Sequence, residues 1–102
     1  MDYRQITCIV ERGKADGVVD AAIRAGAQAA TVYFARGRGV KERLGFVGKL
    51  IQPEKEVILI VTKQDETQKV FDSVVETARL REPGRGFAYI QPVEQAVGFL
   101  DN

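Results

Sequence analysis

Gly37-Arg38-Gly39 and Gly84-Arg85-Gly86 each set an arginine between two glycines. Glycine lets backbone N–H groups come close to an anion, and a guanidinium offers a planar fork that matches phosphate oxygens. Each triplet falls where one regular element gives way to the next. Either one alone reads better as a surface turn. Two of them in a chain of 102 residues, set in a repeated pattern, point to a phosphorylated small molecule, and a nucleotide fits best.

Other chemistries are excluded by what the chain lacks. It has no histidine, a single serine (Ser73) and a single asparagine (Asn102). Ser-His-Asp and Cys-His arrangements are therefore impossible, and a metal site would rest on carboxylates alone. Covalent hydrolytic catalysis is set aside, and the protein is expected not to be an enzyme. Cys8 is the only cysteine, so no internal disulfide forms. Its apolar surroundings suggest a packing role in a reducing cytoplasm. A net charge of +1 gives no general attraction to nucleic acid or membrane. No apolar run is long enough to span a bilayer, and the opening residues lack a secretory pattern, so a cytoplasmic location is expected.

The elements that would position the triplets come in two similar halves. Residues 6–10 and 57–61 read as strands. Each is followed by a helical pattern: Ala15, Val18, Val19, Ala22 and Ile23 in the first, with Gly26 as its stop, and Phe71, Val74, Val75 and Ala78 in the second. Asp65 and Gln68 have the spacing of a capping box at the second helix. Strands over 30–35 and 87–90 complete the order βαββαβ. This is a single ferredoxin-like α+β domain spanning residues 1–102, an antiparallel sheet with both helices on one face and the first and third strands in the middle.

The opposite face should then alternate apolar and polar residues if it met water. Instead Val57, Leu59 and Val61 share one side of their strand while Ile58 and Ile60 fill the other, and Phe87 and Tyr89 oppose Ala88 and Ile90. Such a sheet is expected to bury its free face against further copies of the chain. Between the halves, residues 37–53 form a long connection rich in glycine and in cations. Its Lys41, Arg43, Phe46 and Lys49 suit an acidic or anionic partner.

These residues resemble the PII signal-transduction family over nearly the whole chain. The likeness rests on residues 6–10, on Thr31-Val32 through Gly37-Arg38-Gly39, and on Gly84-Arg85-Gly86 through Val93. It implies a homotrimer that binds an adenine nucleotide (ATP, ADP or AMP) between subunits as an effector, with no prosthetic group. It also implies signalling through a mobile loop to a membrane transporter or metabolic enzyme. By the resemblance, residues 37–53 are the T-loop and 81–86 a B-loop-like turn. Gly37, Arg38, Gly39, Gly84, Arg85 and Gly86 border the phosphates, and Ile9, Thr31 and Val61 fall on the pocket wall.

Several positions depart from the family pattern. Phe87 stands where a phosphate-holding lysine is usual, and Lys41 where the T-loop has a glutamine. The tyrosines, Tyr3, Tyr33 and Tyr89, all lie on strands, so uridylylation of a T-loop tyrosine is not expected. Residues 98–102 carry no paired arginines for a neighbouring subunit. Each missing charge-assisted contact is worth about 1.5–3 kcal/mol, which favours a ligand with fewer phosphates.

Two other readings compete. Residues 85–90 match the start of an RNA-recognition octapeptide, but that motif belongs on a third strand ahead of the second helix, and here it follows it. A ligand-free oligomeric scaffold is the other, and the two arginine triplets argue against it.

Overall fold

A computed structural model describes residues 3–37 and 54–98. The chain runs β1 (Tyr3–Glu11), α1 (Ala15–Arg24), β2 (Ala29–Arg36), β3 (Glu54–Lys63), a 3-10 turn (Gln64–Glu66), α2 (Thr67–Thr77) and β4 (Gly86–Val93). The sheet order is β2-β3-β1-β4 and every neighbouring pair is antiparallel. This is the ferredoxin-like βαββαβ arrangement expected from the sequence, with the two most apolar strands in the centre.

The alternation of the strands decides what the helices cover. Ile6, Cys8, Val10, Ile58 and Ile60 point to the helix side and pack with Ala15, Val18, Ala22, Val70 and Val74. All ten are nearly or fully removed from water. Ile6, Cys8 and Val10 stand opposite Ile60, Ile58 and Glu56, so the core side chains line up in rows across β1 and β3.

The ends of both helices are set by backbone chemistry. After α1 the Gly26 N–H bonds the Ile23 carbonyl at 3.1 Å and the Ala27 N–H reaches Ala22 at 2.9 Å. Gly26 holds φ at 117°, as a helix-terminating turn of this kind requires. After α2 the same pair of bonds recurs, Arg79 N–H to Glu76 at 3.2 Å and Leu80 N–H to Val75 at 3.0 Å. Here the left-handed position belongs to Arg79, at φ 57°. For a residue with a Cβ that conformation costs about 1–2 kcal/mol.

The start of α2 differs from the sequence expectation. Asp65 and Gln68 do not form a capping box: no side chain caps this helix, whose N-cap is Glu66. Asp65 is taken up in the 3-10 turn, and the Gln68 amide instead bonds Asp72 at 2.8 Å, one turn along. Thr67 does the anchoring. Its hydroxyl lies 2.6 Å from the buried Thr62 hydroxyl and also bonds the Lys63 carbonyl at 3.0 Å, tying α2 to the end of β3.

The start of α1 depends on a distant residue as well. Glu56 projects from the core side of β3 and accepts from the Gly13 N–H at 2.7 Å and the Ala15 N–H at 3.0 Å. A carboxylate there satisfies amides that a helix leaves unpaired and complements its positive end.

Candidate functional site

The strand directions bring both glycine hinges to the same end of the sheet. Arg36, just before Gly37, pairs with Glu54, and Gly86 pairs with Val10. They lie on opposite edges, however, because β2 and β4 are the outer strands. With three strand spacings between them, Gly37 and Gly86 stand roughly 14 Å apart. Gly37 and Gly86 of one chain are thus too far apart to meet on one phosphate.

The wall residues divide in the same way. Ile9 pairs with Phe87, directly beside the second hinge. Thr31 and Ala29 are opposite Leu59 and Val61, at the β2 edge. Ile9, Thr31 and Val61 therefore share the uncovered face but form two clusters, one with Gly84, Arg85 and Gly86, the other with β2. Arg38, Gly39, Lys41, Arg43, Phe46 and Lys49 lie outside the described residues.

The second hinge is defined closely. Residues 78–85 form turns between α2 and β4. Gly84 has φ 80° and Gly86 φ 145°. A Cβ on Gly86 would overlap the Ile9 carbonyl oxygen and lie 3.1 Å from Leu80. Both glycines are thus demanded by the backbone, and Gly86 by its neighbour too. Gly37 is not: a Cβ there would meet nothing within 4 Å.

Arg85 is half-buried, and its guanidinium is already engaged. Its Nε donates to Glu82 at 3.3 Å, and Nη1 lies 4.0 Å from Glu11. Glu82 in turn accepts from Arg79 Nε at 2.7 Å. That hydrogen bond, with the charge of Arg79 and the hydrogen bond and charge of Arg85, holds the Glu82 carboxyl below its ordinary range, while desolvation pushes the other way. Sequence reasoning passed over Glu82 and Glu11. The signal for Glu82 was the spacing Arg79-x-x-Glu82-x-x-Arg85.

At the opposite edge Arg12 bonds Glu54 and its guanidinium carbon sits 5.9 Å from the Phe34 ring centre. The uncovered face carries an apolar row across all four strands at the hinge end: Tyr33, Val57, Ile9 and Phe87. Tyr33 is 49% and Phe87 61% exposed in the single chain. Phe87 and Tyr89 lie with ring centres 5.4 Å apart. Their strand is an edge strand, and central β1 sets Ile9 and Thr7 directly beside them, giving no aromatic platform for a base there.

Among the described residues no group of histidine, cysteine, aspartate or glutamate is placed to hold a metal. No described helix is long and apolar enough to cross a membrane.

The described residues thus form a ferredoxin-like domain with a four-stranded antiparallel sheet, both helices on one face and the glycine hinges at one end. The sequence model of the family described as "Nitrogen regulatory protein P-II" matches residues 3–99. The "Nitrogen fixation nifHD region GlnB-like protein 1" of Methanothermococcus thermolithotrophicus is 33% identical over 95 residues, covering 91% of this chain and 90% of the relative. Among solved structures, Arabidopsis thaliana PII bound to citrate superposes with a TM-score of 0.70 at 26% identity, over 90% of this chain and 78% of that one. The chain belongs to the nitrogen regulatory protein P-II family.

Proposed function

We propose that this protein is a non-enzymatic sensor that binds an adenine nucleotide between the subunits of a homotrimer and signals to a partner through residues 40–52. The observation that carries the reading is the division of the site. The two hinges share one end of the sheet yet stand at opposite edges, so a closed ring of copies sets Gly37 of one chain against the Gly84–Gly86 turn of the next. The apolar row of Tyr33, Val57, Ile9 and Phe87 provides the surface that drives copies together.

In this reading the phosphates take backbone N–H groups at Gly37, Gly39, Gly84 and Gly86 and the guanidinium groups of Arg38 and Arg85. Ile9, Thr31 and Val61 line the remainder. Bound nucleotide favours one arrangement of residues 40–52, where Lys41, Arg43, Phe46 and Lys49 meet a transporter or metabolic enzyme. A ligand shifts such an equilibrium only by its different affinity for the two arrangements. The citrate in the Arabidopsis PII structure supports a small polyanion as effector.

Calorimetry with ATP, ADP and AMP tests the reading. Binding of at least one is expected, with Arg85→Ala weakening it by about 1.5–3 kcal/mol, tenfold or more, and leaving assembly intact. No heat from any of the three overturns it.

A further inference from the structure

The second hinge already holds an anion, and that anion belongs to the chain itself. One Glu82 oxygen takes Arg79 Nε at 2.7 Å and the other takes Arg85 Nε at 3.3 Å. The backbone arranges this. The Glu82 N–H bonds the Arg79 carbonyl at 3.0 Å and the Arg85 N–H bonds the Glu82 carbonyl at 3.4 Å, making two successive four-residue turns that share Glu82. Arg79 adopts a left-handed conformation, one glycine would accept freely, and from there its side chain meets Glu82.

We infer that Glu82 is a latch on Arg85: an anionic ligand takes the Arg85 guanidinium by displacing Glu82, and Arg79 keeps hold of Glu82 when it is displaced. This rests on the nucleotide reading above and names how that site is regulated. A carboxylate and a phosphate compete for the same guanidinium fork. A freed carboxylate beside a bound phosphate would repel it unless another cation neutralised it. Arg79 is that cation, and it makes the shorter of the two contacts with Glu82. Glu11, 4.0 Å from Arg85, adds a weaker competing charge on the β1 side.

Arg79 and Glu82 are exposed and Arg85 is only partly buried, so the latch tunes affinity rather than blocking the site. Calorimetry with ADP is the first test. Glu82→Gln is expected to tighten ADP binding roughly two- to fivefold, and Arg79→Ala to weaken it by a similar factor. Arg81→Ala removes the same charge from a neighbour that makes no ion pair among the described residues, and should change affinity less. Equal losses at Arg79 and Arg81 would assign the effect to net charge and overturn the latch. So would an unchanged affinity in Glu82→Gln.

A second measurement separates the latch from the nucleotide reading. By NMR on the ligand-free protein, exchange of the Arg85 Nε–H with water is expected to quicken several-fold in Glu82→Gln. If neither the parent chain nor any variant binds ATP, ADP or AMP, the nucleotide reading falls. The exchange rate still decides whether Glu82 restrains Arg85, and an unaltered rate overturns the latch.

Discussion

Gly86 and Ile9 approach so closely that no side chain fits between them: a Cβ on Gly86 would occupy the place of the Ile9 carbonyl oxygen. The contact fixes where the second hinge joins the sheet, and it sets Ile9 against the Arg85 turn. Gly86→Ala must therefore move β4 away from β1 or distort φ from 145°. Strain of this kind costs about 1–3 kcal/mol, which lowers the melting temperature by roughly 5–20 °C in a domain of this size. Gly84→Ala, at φ 80° with open space around it, is expected to cost less. Thermal unfolding of the two variants checks the order.

Glu56 should matter more to folding than its place in the charged start of β3 suggests. One of its oxygens serves both the Gly13 and Ala15 amides. Glu56→Ala leaves these at the start of α1 without a partner, at about 1.5–3 kcal/mol. Glu56→Gln keeps an acceptor oxygen and should lose less. Urea denaturation measures both.

Cys8 is buried in the core, and burial pushes its thiol up to about 12 from a model-compound value of 9.0. The neutral form is favoured by folding. This contribution to stability is complete below pH 9 and is lost as pH rises from about 9 through about 12. At neutral pH the native protein should be inert to Ellman's reagent, and modification should follow unfolding. Rapid reaction of the native thiol would contradict the packing.

Phe87 tests the assembly. It is largely exposed in the single chain, so Phe87→Glu should leave the monomer's fold nearly unchanged while placing a charge in the apolar row. Sedimentation velocity is expected to show a trimer for the parent chain and a smaller species for the variant. A parent chain that sediments as a monomer would remove the basis for a shared site.

Much of this architecture was legible because it follows from periodicity. The alternation in residues 57–61 placed β3 in the centre and left apolar side chains on the uncovered face, and the register confirms both. Gly26 marked the end of α1 because a left-handed position there favours glycine. The same termination at Arg79 gave no such sign, since the residue type argues against the conformation it adopts. Asp65 and Gln68 had the spacing of a cap, but the 3-10 turn shifted the helix start past Asp65, and Thr67 secured it through contacts with β3.

The candidate site was legible in its parts and not in its arrangement. Both arginine triplets stand out in the sequence, yet only the pairing of strands reveals that Gly37 and Gly86 lie on opposite edges. The role of Glu56 at α1 depends on a contact across 43 residues, to Gly13, which no local pattern encodes. Glu82 is local in sequence, but its grip on two arginines needs the double turn that Arg79 makes possible.

The central claim is that two copies of the chain complete one phosphate site. A crystal structure of the protein with ADP tests it most directly. The account predicts ADP phosphates between Gly37 of one chain and the Gly84-Arg85-Gly86 turn of the next, with Arg85 turned from Glu82 toward them. Phosphates held within a single chain, or lying away from both hinges, would contradict it.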